Sequence, residues 1–239
     1  MSNISASSLS YQVGNDIFEG YLVYDADQHA PLPGILIAPN WMGATEDAVT
    51  QAKTIAANGY VVLVADLYGH GQRPTSGDEA GAMMMKVKDQ PAEVARMQAA
   101  LNALRTQTSA AIDAANVAAI GFCFGGHCAL ELARSGADIK AAVSFHGTLD
   151  TQGRYAGNTI TAALLVLDGA ADPLVPREQL AEFANEMNSK GIDWQLVSFA
   201  GAVHSFTDPK ANNAGVAQYY PEVTQRAFKR MYQLLDEVF

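Results

Sequence analysis

Three side chains of this 239-residue chain have the types and surroundings to carry out nucleophilic chemistry together. They are Cys123 in Gly121-Phe-Cys-Phe-Gly-Gly126, Asp172 in Asp168-Gly-Ala-Ala-Asp-Pro173, and His204 in Ala200-Gly-Ala-Val-His-Ser-Phe206. A thiol is a weak nucleophile until an imidazole takes its proton, and that imidazole needs a carboxylate to fix its tautomer and stabilise its charged form. On this logic Cys123 is the nucleophile, His204 the base and then the acid, and Asp172 the orienting group. Asp168 is the competing carboxylate, and a plain Asp-Pro turn is the competing account of Asp172. Gly-x-Cys-x-Gly directly after the apolar run 117–120 predicts a strained strand-to-helix turn that lifts the thiol above a sheet. Gly121, Gly125 and Gly126 remove the Cβ atoms such a turn would crowd. A buried structural cysteine in a glycine-rich turn would leave the same local pattern, so the remaining elements have to decide.

Those elements alternate short apolar strands with helical segments, the sequence form of a mostly parallel sheet covered by helices on both faces. Segments 9–13 and 17–24, joined by Gly14-Asn15-Asp16, predict an opening hairpin and hence an antiparallel N-terminal edge. Strand 34–38, helix 45–58 and strand 60–65 form a βαβ unit closed by Gly59. A polar, glycine-rich stretch 69–81, which could serve as a lid, leads through Met83-Met84-Met85 into helix 91–106, where Pro91 suits the first turn. Strand 117–120, helix 124–135, strands 139–145 and 162–167, helix 176–190, strand 194–199 and helix 221–238 follow. In such a sheet, functional groups collect at the carboxyl ends of the strands, and nucleophile, acid and histidine fall there in that chain order.

A tetrahedral oxyanion needs two amide donors, and by position these are Phe124, just after the nucleophile, and Trp41, in the loop after the third strand. Trp41 is also expected to wall the acyl pocket. His146 and His70 sit at the ends of other strands and are expected to touch substrate, whereas His127, four residues past Cys123, is expected to bond locally. No His-x-x-x-His pair or carboxylate cluster of ligand spacing appears, so neither metal nor cofactor is expected.

One α/β domain spanning 1–239 is expected from the length. Apolar residues make up 49% of the chain and charged ones 17%, enough to build a sizeable core. A formal net charge of −10 without a basic cluster disfavours nucleic acid and anionic membranes as partners. The expected partner is a small molecule, with a homodimer allowed. The N-terminus carries neither a basic nor an apolar signal region, no apolar run is long enough to span a bilayer, and two cysteines five apart suit a reducing compartment, so a cytoplasmic location is expected. Cys128 is read as helix packing.

With Gly34-Ile-Leu-Ile-Ala38, Ala65-Asp-Leu-Tyr68, Gly121-Phe-Cys-Phe-Gly-Gly126, Asp168-Gly-Ala-Ala-Asp-Pro173 and His204-Ser-Phe206 in this order, the chain resembles the dienelactone hydrolase family over nearly its whole length. The resemblance implies an α/β-hydrolase fold, a Cys123–His204–Asp172 triad, and oxyanion amides from Trp41 and Phe124. Two positions depart from the dienelactone-cleaving pattern. Asn40 stands where those members carry a glutamate facing the thiol, and Asp208 where they carry an arginine that binds the substrate carboxylate. An aspartate repels that carboxylate, so neutral esters or lactones are expected as substrates, with Asn40 among the substrate-binding residues. By the same resemblance, metal-free hydrolysis of neutral phosphotriesters is an expected additional activity or even the main assayed one. The alternative classes are a thiol redox protein, which would want a resolving cysteine within reach, and a non-catalytic binding module.

Overall fold

The computed structural model describes residues 2–239, and the chain divides into two compact units, Met1–Ala119 and Ile120–Phe239. The elements make a mixed α/β fold with a large, mostly parallel sheet flanked by helices.

In the first unit, β1 (Ile4–Val13) and β2 (Asp16–Asp25) form the hairpin, with Gly14 at φ 60° in its two-residue turn. β2 runs antiparallel to β4 (Val61–Val64), and β4 runs parallel to β3 (Leu32–Ala38), so the antiparallel element lies at the N-terminal edge. The crossover is α1 (Glu46–Ala56). Thr45 caps it by accepting from the Ala48 N–H at 3.4 Å, and Glu46 and Asp47 complement the helix dipole. β1 starts five residues earlier than its apolar pattern predicts because 4–8 is a serine-rich edge, paired by backbone but mostly exposed.

Residues 77–81, read from the sequence as the end of a polar, glycine-rich stretch, are helical: α2 (Gly77–Met85) opens at Ser76, whose hydroxyl accepts from the Glu79 N–H at 3.2 Å. α3 (Pro91–Thr106) follows, and then β5 (Ile112–Phe122), which leads from one unit into the other.

In the second unit, α4 (Phe124–Arg134) leaves β5 directly and is buried along its entire length, as a central helix in a large fold must be. β6 (Ala141–Phe145), β7 (Ala163–Gly169) and β8 (Trp194–Phe199) run parallel, and the first two are buried throughout. α5 (Arg177–Ser189) lies between β7 and β8 in the chain, and α6 (Pro221–Val238) closes it. A hairpin of β9 (Asn212–Asn213) and β10 (Ala217–Gln218), unforeseen in the sequence, sits between β8 and α6. Among the described residues no helix is long and apolar enough to cross a membrane.

Candidate active site

The strand-to-helix turn at Cys123 is built by close backbone contacts. A Cβ on Gly121 would lie 1.9 Å from the Gly125 carbonyl oxygen, and one on Gly126 would lie 2.5 Å from Ser144 Oγ and 3.0 Å from the Gly147 Cα. Gly147 is equally constrained, its Cβ falling 2.8 Å from the Gly126 Cα. Glycine at these positions brings α4 down onto the loop after β6, and Cys123 takes the turn itself at φ 57°, ψ −121°. Such a conformation costs a non-glycine residue about 1–3 kcal/mol and persists only where its surroundings fix it. The Cys123 N–H donates to Phe145 O at 3.0 Å and to His146 Nδ1 at 3.1 Å. Phe124 opens α4, so its amide belongs to the first turn, which has no carbonyl one turn back to bond.

Asp172 and His204 meet. Asp172 Oδ2 accepts from His204 Nδ1 at 2.8 Å, and Asp172 Oδ1 accepts from the Leu174 N–H at 2.8 Å, so the turn of the Asp-Pro segment also aims the carboxylate. Asp168 is engaged elsewhere: it receives Arg177 through both guanidinium ends, at 2.7 and 3.0 Å, and the Ser198 hydroxyl at 2.6 Å. It ties the end of β7 to α5 and β8. His204 is held by the β9–β10 hairpin, donating its N–H to Val216 O at 3.1 Å and accepting at its carbonyl from the Gln218 N–H at 3.0 Å. Burial alone would lower the proton affinity of His204. Hydrogen bonding to Asp172, and the facing Cys123 sulfur, outweigh it and push its pKa up to about 10. Its Nε2 is buried, and the Cys123 sulfur acts on the ring both by side-chain hydrogen bonding and through charge.

The other expected positions differ in kind. His146 is only 3% exposed, with both ring nitrogens engaged inside the protein, so it lies beneath the surface rather than presenting itself to substrate. His70 is exposed beside Glu19, its Nδ1 3.7 Å from the carboxylate. Asn40 uses its side chain locally, Oδ1 accepting from the Met42 N–H at 2.9 Å, which bends the loop that presents Trp41. The Trp41 carbonyl accepts from the Tyr68 hydroxyl at 2.6 Å. The Trp41 indole packs on the glycine face of α2, 3.5 Å from where a Cβ on Gly77 would stand and 3.8 Å from one on Gly81. Asp208 caps its own turn, accepting from the Lys210 N–H at 2.8 Å. His127 is buried on α4, its Nδ1 3.6 Å from Asp150 and 3.5 Å from the Thr148 hydroxyl, partners from the segment after β6 rather than from its own helix.

The model of the dienelactone hydrolase family matches residues 18–239, which include the Cys123 turn and the Asp172–His204 pair. The chain belongs to the dienelactone hydrolase family. It is therefore a hydrolase acting on ester or lactone bonds, with the α/β-hydrolase fold. Among solved structures it is similar to m3DLH, at 38% identity, a TM-score of 0.92 and 99% coverage of both chains. It is also similar to P91, a dienelactone hydrolase-like promiscuous phosphotriesterase from metagenomic libraries, at 35% identity, a TM-score of 0.90 and again 99% of both chains. A Bradyrhizobium protein named as a probable 2-oxo-3-(5-oxofuran-2-ylidene)propanoate lactonase is 29% identical over 185 residues, 73% of each chain.

Proposed function

We propose that this member cleaves neutral carboxylic esters or lactones through an acyl-cysteine on Cys123, with His204 as proton carrier and Asp172 as its orienting carboxylate. The observation that carries the reading is the buried Asp172–His204 pair, bonded at 2.8 Å, with the proton affinity of the imidazole raised by Asp172 and by the Cys123 sulfur. In the reacting pair the proton passes to His204 and Cys123 attacks as the thiolate. The thiolate attacks the carbonyl carbon, a C–S bond forms, and the oxygen takes the negative charge. The Phe124 amide is one donor to it, and the Trp41 amide is kept as the second on its place in the chain. When the tetrahedral species collapses, the alcohol leaves with the proton from His204 Nε2.

The same electrostatics reverse the role of His204 in the next step. In the thioester the sulfur carries no charge, so one of the contributions that raise the proton affinity of His204 is gone. The neutral imidazole takes a proton from water as the hydroxide adds to the thioester carbonyl, and the C–S bond then breaks, releasing the acid and returning the thiolate beside the imidazolium so formed. Asn40 and Asp208, neutral and anionic where a glutamate and an arginine would serve an anionic lactone, favour uncharged substrates. His70, which is exposed, and the half-buried Asn40 are assigned to substrate contact. A cytoplasmic setting fits a thiol that must stay reduced.

A second activity is favoured by the similarity to the promiscuous phosphotriesterase. Here the thiolate attacks a neutral phosphorus, the aryloxide leaves as the phenol with the proton from His204, and the now neutral His204 takes a proton from the water that breaks the S–P bond, releasing the phosphodiester and returning the thiolate. The test is chromophore release from a neutral p-nitrophenyl ester and a neutral aryl phosphotriester in chelator-treated buffer, wild type beside Cys123→Ala. Loss of both activities in the variant supports the reading. Turnover that survives in Cys123→Ala, or a wild type inert toward both, points instead to another nucleophile or to a redox or binding role.

A further inference from the structure

We propose that His146 is a positioning residue for this hydrolysis: an imidazole that ties the backbone of the Cys123 turn to the loop carrying His204. The inference rests on the reading of Cys123 and His204 as the reacting pair, and it gives work to a buried histidine that the three reacting groups do not require.

His146 follows β6 at φ 42°, a left-handed conformation unusual outside glycine. The Cys123 N–H donates to its Nδ1 at 3.1 Å, and its Nε2 lies 2.8 Å from Thr207 Oγ1. A nitrogen that accepts an N–H must carry its lone pair there, so the single ring proton sits on Nε2 and is donated to Thr207. The ring is thus a rigid strut. One end grips the strained nucleophile turn, and the other grips the loop three residues beyond His204. Its edge also meets the two rings of that loop, with centroids 5.1 Å from His204 and 4.9 Å from Phe206, at interplanar angles of 67° and 82°.

Charge explains why a histidine can hold this place without becoming a second proton carrier. Protonation would set an Nδ1–H against the Cys123 N–H and a second cation beside the His204 imidazolium. Burial first, and the charge of His204 second, hold His146 well below the ordinary histidine range. Two rings in contact are therefore driven in opposite directions, His204 toward imidazolium and His146 toward neutrality. Ser205 at φ 54° lies in the same short loop, so the backbone on both sides of the strut is strained, which makes its geometry dependent on such ties.

The experiment compares kcat and KM on a neutral p-nitrophenyl ester for wild type, His146→Leu, His146→Asn, Thr207→Val and Thr207→Ser, with thermal unfolding of each. Asn tolerates the left-handed conformation, and its Oδ1 can replace Nδ1 as acceptor for the Cys123 N–H; Leu offers no acceptor. The expected result is a kcat about 100-fold lower in His146→Leu with KM within about threefold, because a displacement of about 1 Å at the reacting atoms costs that much. His146→Asn should recover at least about tenfold of the loss, and Thr207→Val should lose about tenfold with Thr207→Ser restoring it. Folded Leu and Val variants with wild-type kcat would overturn the proposal, as would equal loss in folded Leu and Asn variants. If His146→Leu does not fold, the Thr207 pair decides alone. A wild type that hydrolyses nothing, or activity that survives in Cys123→Ala, would refute the parent reading instead, so the two failures are distinguishable.

Discussion

Exchanging one oxygen for an amide at Asp172 discriminates between the two carboxylates of the Asp168–Pro173 segment. Asp172 is fully buried at its side chain and spends its two oxygens on two donors, the Leu174 N–H and His204 Nδ1. In the Asp172→Asn variant the side chain keeps one acceptor oxygen for both. If that oxygen keeps Leu174, the amide N–H faces His204, whose Nδ1 must then become the acceptor and whose proton must move to Nε2. The ring then presents an N–H to the thiol and can no longer take its proton, which is the wrong-tautomer failure worth about 10⁴ in kcat, or about 5 kcal/mol of barrier. If the oxygen keeps His204 instead, the Leu174 donor is left facing an amide N–H, at about 1–3 kcal/mol of stability. Asp168→Asn breaks the pairing with Arg177, which is well exposed, and leaves Ser198 a partner, so it should lower stability modestly and leave kcat within about threefold. The assay is steady-state hydrolysis of a neutral p-nitrophenyl ester, corrected for folded fraction by circular dichroism. An Asp172→Asn variant that keeps both kcat within tenfold and the stability of wild type, or an Asp168→Asn variant equally impaired in kcat, refutes the assignment.

Other outcomes follow from the same geometry. Gly126→Ala would push a methyl group onto Ser144 Oγ and the Gly147 Cα, and should cost about 1–3 kcal/mol in urea unfolding as well as a large part of the activity, since the turn carrying Cys123 must shift. Arg134→Ala should be costlier, about 3–5 kcal/mol, because the buried guanidinium bonds Glu131, Glu186 and the Leu149 carbonyl, and Glu131 would remain buried without it; activity per folded molecule should persist. Because the folded pKa of His204 is raised, its contribution to stability is complete below about pH 6.5 and disappears as the pH climbs through about 10. The stability gap between wild type and Asp172→Asn should accordingly be widest near pH 6 and shrink toward pH 10 in urea titrations. A gap that stays constant or grows with pH would contradict the His204 assignment.

What is legible in the sequence is whatever a local pattern dictates. Continuous apolar runs mark β4, β6 and β7, the Thr45 cap marks α1, and three glycines around Cys123 mark a backbone turn that side chains would obstruct. Asp172 and His204 each read as lying just past a strand, and they are hydrogen-bonded to one another. Helix α2 escapes because Gly77 and Gly81 lower helix propensity; Ser76 followed by Glu79 is the signal, and Glu79 turns back to Thr75, accepting its N–H at 2.7 Å and its hydroxyl at 2.9 Å. The glycines make sense only once the Trp41 indole is seen lying on them. The β9–β10 hairpin has two residues per strand and no alternation to reveal it, yet it clasps His204. His146 cannot be told from a cleft-lining histidine, because nothing near it in the sequence announces Thr207, sixty-one positions away, as its partner. Tertiary hydrogen bonds to buried polar groups leave no periodic trace.

The most direct test of the account is to catch the covalent intermediate. Wild-type protein mixed at neutral pH with the p-nitrophenyl ester of a hindered acid, quenched in acid during the chromophore burst, is measured by intact mass and then by peptide mapping. The account predicts one added acyl group per chain, attached as a thioester to Cys123, and no adduct in Cys123→Ala. Chromophore released with Cys123 unmodified, or an acyl group carried by another side chain, would contradict it.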